Sequence, residues 1–325
     1  MKWRQIKVPL LEVNALKMYY EVKGKRWVKA VDNVSIRIDR GESLGLAGES
    51  GSGKTSLSLS IMRLLPSNGK ILGGEIKFEN EDILNMNYKL FKKKIAWKKI
   101  SLVPQAAMSA LNPVMKVGDQ IVEAIIFHEN VSKKEALERV KTLFKLVGLD
   151  PSRINDYPHE FSGGMRQRVM IAMALACNPK LVIADEPTSA LDVIVQAQIL
   201  SLIKDLQKNL NLSMILVTHD LSILSEICNS IAVMYAGKIV EYGPTLEVYE
   251  DPQHPYTKGL LAATPSIKGT RRRLKSIPGT PPDLLNPPPG CRFHPRCPYA
   301  KDICKKEEPP LVKVGGRRVV ACHEV

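Results

Sequence analysis

Residues Gly48 to Thr55 read Gly-Glu-Ser-Gly-Ser-Gly-Lys-Thr and fit the spacing G-x-x-x-x-G-K-[ST]. The chemistry this permits is the cradling of a polyphosphate. Gly48, Gly51 and Gly53 let the backbone curl, so that its N–H groups, including those of Ser50, Ser52 and Ser56, turn inward. Lys54 supplies an ammonium for β- and γ-phosphates, and Thr55 a hydroxyl for magnesium. The context is the required one: the apolar run Ser43 to Ala47 reads as a strand feeding the loop, and residues 54–65 carry a helical pattern. A helix N-terminus adds roughly half a positive charge where the phosphates would sit.

A second chemical pair lies at Asp185-Glu186, closing the run Leu-Val-Ile-Ala. Acids at the C-terminal end of a buried strand occupy the place where open α/β sheets bind ligands. Asp185 is expected to hold magnesium through water, and Glu186 to polarise an attacking water as general base, a role worth ~100 to 10,000-fold in rate. The competing reading is a helix-capping pair ahead of Pro187, which would prevail without the glycine loop.

The elements that must position these groups alternate strand and helix, which implies an α/β fold. Residues 11–38 form β-rich runs broken at Lys23-Gly24-Lys25 and closed by Arg40-Gly41-Glu42, as antiparallel strands and turns would be. The stretch from about 100 to 165 reads as mostly helical, with amphipathic spacing over Lys133 to Val147. Leu181–Ala184 and Met214–Val217 read as parallel strands covered on both faces. Beyond about residue 264, Pro278, Pro281, Pro282 and Pro287 to Pro289 crowd together and helical periodicity stops. The division expected is therefore a nucleotide-binding domain over 1–263, containing a helical subdomain at about 100–165, and a Pro/Cys-rich extension over 264–325. Met1 to Val13 mixes charged and apolar residues and is read as lacking a secretion signal. No window approaches the ~20 apolar residues of a membrane span, so the chain is expected in the cytosol, meeting a membrane through partners.

Phe161-Ser162-Gly163-Gly164-Met165-Arg166-Gln167-Arg168 precedes the acidic pair, and here the sequence resembles the ABC ATPases, whose signature has a Ser-Gly-Gly core. Phe161 and Met165 depart from the commonest form, which has Leu and Gln at those places; the variant resembles that of peptide importers. Ser162, Gly163 and Gly164 would open a helix and aim N–H groups and a hydroxyl at a γ-phosphate. By the resemblance, that phosphate belongs to ATP held by the opposite subunit. The same resemblance assigns Gln105 to the Q-loop, sensing magnesium and the attacking water, and Ser189-Ala-Leu-Asp192 to the D-loop beside the nucleotide. His219, in Thr218-His219-Asp220, would contact the γ-phosphate and orient Glu186. An upstream aromatic should stack on adenine, Tyr20 being favoured over Tyr19 and Trp27. The implied fold is a P-loop NTPase with a RecA-like core, an antiparallel β-subdomain and a helical subdomain.

Val233 to Glu241, Asp251 to Thr257 and Ile277 to Pro282 narrow the resemblance to ATP-binding subunits of dipeptide and oligopeptide permeases, over essentially the whole chain. That implies ATP and Mg2+ as ligands and a place on the cytoplasmic face of the cell membrane. It also implies as partners a second, homologous ATP-binding subunit in a heterodimer, two membrane-spanning permease subunits and an extracytoplasmic substrate-binding protein. Relatives with such tails also serve importers of oligosaccharides and nickel, which stay open as alternatives.

Of the six cysteines, Cys177 and Cys228 stand alone in apolar surroundings and read as buried thiols. Cys291, Cys297, Cys304 and Cys322 cluster near the end, which in a reducing compartment suggests metal before disulfides. The spacing is not the paired C-x-x-C of zinc ribbons. Some peptide-permease ATPases carry a [4Fe-4S] cluster in this extension, and the resemblance implies one here, with zinc, recruiting His294 or His323, as alternative and a metal-free set of thiols or disulfides as a third. The net charge of +14 and the run Lys89 to Ile100 would suit nucleic acid. Such runs are more often solvated faces, and nucleic-acid ABC ATPases carry two cassettes or a long coiled coil, whereas this chain has one phosphate loop and no sustained heptads. No nucleic-acid partner is expected.

Overall fold

The computed structural model describes residues 8–105, 107–263 and 276–325. In chain order the first elements are β1 (Leu11–Val22), β2 (Arg26–Ile38), β3 (Ser43–Ala47), α1 (Lys54–Ile61), β4 (Gly69–Phe78) and β5 (Glu81–Asp82). Next come α2 (Tyr88–Lys94), β6 (Ile100–Val103), α3 (Ala107–Ala110), α4 (Val117–His128), α5 (Lys133–Leu146), α6 (Gly163–Leu175), β7 (Leu181–Asp185), α7 (Val193–Leu210) and β8 (Ser213–Val217). The remainder holds α8 (Leu221–Ile227), β9 (Ser230–Tyr235), β10 (Lys238–Pro244), α9 (Thr245–Glu250), α10 (Pro255–Ala263), α11 (Asp302–Lys306), β11 (Val312–Lys313) and β12 (Val319–Val320). The chain divides into two units, one of residues Met1–Leu84 with Leu216–Val325, the other Asn85–Ile215. The expected boundary after residue 263 adjoins residues 264–275, which lie outside the described residues.

In the first unit, β2-β1-β4-β5 make an antiparallel sheet. Its first hairpin turns at Gly24 and Lys25, whose φ values of 80° and 56° are the left-handed geometry that tight hairpin loops require. Inward residues Leu11, Val13, Leu16 and Met18 are fully buried. A second set of strands, in the order β11-β12-β10-β9-β3, places β3 parallel to β9. Both are buried along their whole length, and each such apolar side chain contributes roughly 1.5–3 kcal/mol. A Cβ on Gly45 would sit 2.8 Å from Leu224 Cδ1 of α8, so the absence of a side chain there lets α8 close onto β3.

In the second unit β6 runs parallel to β7 from the Ile100–Leu181 pair onward. The expectation of helix from about residue 100 is thus corrected at its start: Ile100–Val103 is a strand, since pairing with β7 outweighs the helical character of the residues after it. Downstream, helices dominate as expected. α5 opens with a capping box, in which the Ser132 hydroxyl accepts from Glu135 N–H while the Glu135 carboxylate accepts from Ser132 N–H. Its Ala136, Val140, Leu143 and Phe144 face inward. Among the described residues, no helix is long and apolar enough to cross a membrane.

Candidate functional site

β3 ends at Ala47 and the chain enters the glycine loop, whose turns need φ values of 146° at Gly48 and 107° at Gly53. Side chains are excluded at both on space as well: a Cβ would lie 2.2 Å from Met234 O at Gly48 and 2.1 Å from Ala30 O at Gly53. Lys54 is 5% exposed, and its ammonium donates to Gly48 O at 2.7 Å and Glu49 O at 2.9 Å. Ser50, Gly51 and Thr55 are exposed on the loop and first helical turn. The loop is braced from the adjoining strands, because Gly237 N–H donates to Ser52 O at 2.9 Å.

The same unit brings two further expected residues to this end of β3. Thr218 N–H donates to Leu46 O at 3.1 Å, which sets the exposed His219 one residue beyond the strand's edge. Tyr20 Oη lies 3.1 Å from Ser56 Oγ on α1. Its competitors are engaged elsewhere: Tyr19 donates to Asp32 Oδ1 at 2.7 Å, and Lys70 Nζ stands 5.6 Å from the Trp27 ring centroid.

The second unit assembles the remaining groups. β7 delivers Asp185, 3% exposed, and then Glu186 with φ 46°, a left-handed conformation that costs a non-glycine residue roughly 1–2 kcal/mol and recurs at functional sites. Gln105 Nε2 donates to Glu186 Oε2 at 2.9 Å, and Ser189 Oγ donates to Gln105 O at 3.2 Å. Glutamine, glutamate and the 189–192 segment thus form one hydrogen-bonded group. Ser162 caps α6, its hydroxyl accepting from Met165 N–H, with Gly163 and Gly164 in the first turn. A Cβ at Gly164 would meet Val195 Cγ1 of α7 at 2.4 Å, so this glycine lets α7 approach. Asp192 caps α7, accepting from Ile194 and Val195 N–H.

Sequence reasoning missed Arg153. Its guanidinium lies 4.5 Å from the Phe161 ring centroid, donates to Glu160 O at 2.9 Å and reaches Met165 Sδ at 3.5 Å. The two positions where the signature departs from its commonest form are those that Arg153 grips, and they were the only available signal.

Cys291, Cys297, Cys304 and Cys322 converge on one cavity of about 10 Å³, which His254, His294 and His323 also line. Burial pushes the Cys291 thiol up to about 11 and raises Cys297 and Cys322 as well. His294 Nδ1 pairs with Cys291 O at 2.9 Å and His323 Nε2 with Glu307 O at 3.0 Å. The donor set is right in kind for soft-metal ligation. Among the described residues, however, no group of three or more His, Cys, Asp or Glu is arranged to hold a metal ion, so neither a cluster nor zinc gains support from ligand spacing.

Residues 31–189 match the ABC transporter family, and residues 240–304 match the C-terminal region of the oligopeptide/dipeptide transporter family. The oligopeptide transport ATP-binding protein AppD of Bacillus subtilis (strain 168) is 48% identical over 316 residues, covering 96% of each chain. The dipeptide transport ATP-binding protein DppD of Haemophilus influenzae is 47% identical over 316 residues, 97% of this chain and 95% of that one. Among solved structures, the ATP-binding cassette MJ0796, a dimer in a post-hydrolysis state bound to ADP and Pi, superposes with a TM-score of 0.65 at 28% identity, covering 72% of this chain and 98% of that one. With near-complete coverage at such identities, on top of a braced phosphate loop and a Ser-Gly-Gly helix start, the chain belongs to the ABC transporter family, among the ATPases of oligopeptide and dipeptide transport.

Proposed function

We propose that this chain is the ATP-hydrolysing subunit of an importer of dipeptides and oligopeptides, acting at the cytoplasmic face of the membrane. The observation that carries it is the full-length match to ATP-binding proteins of peptide transport, tail included. Permease subunits and a substrate-binding protein are the partners such a role requires. A heterodimer with a second, similar ATP-binding subunit is the arrangement proposed. An importer of oligosaccharides or nickel would use the same motor.

In the proposed chemistry Lys54 and the amides of residues 48–56 hold the β- and γ-phosphates, with Tyr20 against the base. Thr55, Gln105 and Asp185 hold Mg2+, which supplies charge neutralisation on the phosphates when bound. Glu186 is the general base, supported by its strained backbone and its bond from Gln105; His219 orients it. Ser162, Gly163, Gly164 and Asp192 act on the ATP of the opposing subunit. ATP contacts made only in the closed dimer supply the differential stabilisation that drives closure, and hydrolysis removes it.

The tail over 276–325 forms the cysteine-rich module of the proposal. A [4Fe-4S] cluster held by Cys291, Cys297, Cys304 and Cys322 is the group proposed for it, with zinc as the alternative; the four thiols share one cavity, a donor set that suits either group, and a cluster would need that cavity to widen. Iron and sulfide assay after anaerobic purification decides between them.

The decisive experiment on the motor is Glu186→Gln, with ATP binding and hydrolysis measured on the transporter in vesicles supplied with peptide-loaded binding protein. Retained ATP binding with turnover lowered at least ~100-fold is expected. Unchanged hydrolysis refutes the assignment of Glu186, and stimulation by glucans but not peptides replaces the substrate.

A further inference from the structure

Glu49 is the residue after the first glycine of the phosphate loop, and its carboxylate is a like charge for any triphosphate bound there. That charge is answered from far along the chain. Arg296 donates to both Glu49 oxygens, Nη1 to Oε2 at 2.6 Å and Nη2 to Oε1 at 3.0 Å, the paired geometry in which a guanidinium is strongest. The arginine side chain is only 4% exposed, against 27% for the glutamate. Its direction is fixed by further contacts, Nε donating to Pro278 O at 2.8 Å and the guanidinium carbon lying 5.8 Å from the Tyr235 ring centroid. Glu49 is held from a second side, its N–H donating to Tyr256 Oη at 2.8 Å.

The turn that carries Arg296 spans His294–Arg296 and leads directly into Cys297, which lines the cysteine cavity. The same segment grips the other side of the loop. Arg292 donates to Ala236 O, and the next residue, Gly237, donates its N–H to Ser52 O. The cysteine-lined turn therefore holds the loop at Glu49 directly and at Ser52 through Ala236-Gly237.

We propose that Arg296 is a positioning residue for ATP: it neutralises Glu49, fixes the phosphate loop in its binding shape, and ties that shape to the cysteine-lined turn of the tail. This rests on the reading that residues 48–55 bind the phosphates. Removing Arg296 would leave an uncompensated carboxylate beside the triphosphate, whereas removing both partners would not. The pair thus predicts a rescue that a purely structural arginine would not give.

The test uses the full chain and Mg2+-ATP titration calorimetry, with Lys54→Ala as the reference for the loop itself. Arg296→Gln is expected to weaken ATP binding by about tenfold, the scale of one unit charge incompletely screened near a surface. Arg296→Gln combined with Glu49→Gln is expected to recover most of that loss, and the single-variant loss should shrink as salt rises. Arg296→Lys, which keeps stem and charge but not the fork, should fold and bind with an intermediate loss and show faster amide exchange over residues 49–53. Parent-like affinity in Arg296→Lys and Arg296→Gln, or a double variant weaker than both singles, overturns the inference. If Lys54→Ala binds like the parent, the reading of the loop is what fails. If Lys54→Ala abolishes binding while the Arg296 variants do not move, only the role of Arg296 fails.

Discussion

Replacing Arg318 with Met should destabilise the protein by about 3–5 kcal/mol, and neutralising Glu241 as well should recover most of that loss. Glu241 is fully buried; Arg318 donates to its Oε1 from Nη2 at 2.6 Å and from Nε at 3.2 Å. Gln253 and His254 donate backbone N–H groups to the same carboxylate, each at 3.0 Å. Met retains the apolar stem but strands the charge, and breaking a buried pair from one side costs about 3–5 kcal/mol. Urea titrations of parent, Arg318→Met and Arg318→Met with Glu241→Gln measure this; the double variant, which strands no charge, should regain most of the loss. A single variant within about 1 kcal/mol of the parent, or a double variant as unstable as the single, would refute the reasoning.

Two further outcomes are expected. Burial pushes the Cys177 thiol up to about 11 and Cys228 higher still; both are therefore protonated at pH 8, with the thiolate fraction of Cys177 at about 0.1%. Iodoacetamide followed by peptide mass analysis should label them at least ~100-fold more slowly than a cysteine in the urea-unfolded chain, and equal rates would mean the sites open. Arg153→Leu removes the contact with Phe161 and the bond to Glu160 O. ATP hydrolysis should fall several-fold while stability drops by only ~1–2 kcal/mol, and parent-like turnover would separate Arg153 from the signature.

What the sequence disclosed was whatever is encoded locally. Gly48 to Thr55 was legible because glycine backbone freedom, an ammonium and a hydroxyl must be neighbours in the chain to make such a loop. Leu181–Ala184 and Met214–Val217 were legible as short apolar runs bounded by polar residues, and Lys23 to Lys25 as a turn between two strands. Ile100–Val103 was not, since four residues between a lysine run and a helical stretch carry no periodicity of their own; their identity comes from pairing with Leu181–Ala184. Gly69–Phe78 carries few buried side chains and is fixed instead by its ladder to β1. Tyr20 and Tyr19 are adjacent and chemically alike, so only register could show that the first meets Ser56 and the second Asp32. Arg296 and Glu49 are 247 residues apart, and nothing in either neighbourhood announces the other.

The three buried arginines of the tail are all answered within the fold: Arg292, Arg296 and Arg318 are 8%, 6% and 5% exposed. Each is paired with an acid far upstream: Asp32, Glu49 and Glu241. Buried ion pairs contribute little net stability, because desolvation offsets their attraction, but a mismatched pair is strongly penalised. Three such pairs along one tail therefore act as a register. They favour the one seating of residues 276–325 in which every guanidinium meets its carboxylate. In that seating the tail meets β2 at Asp32, the phosphate loop at Glu49 and β10 at Glu241. A segment fixed in this way at the glycine loop, through Glu49, is suited to set the loop's shape.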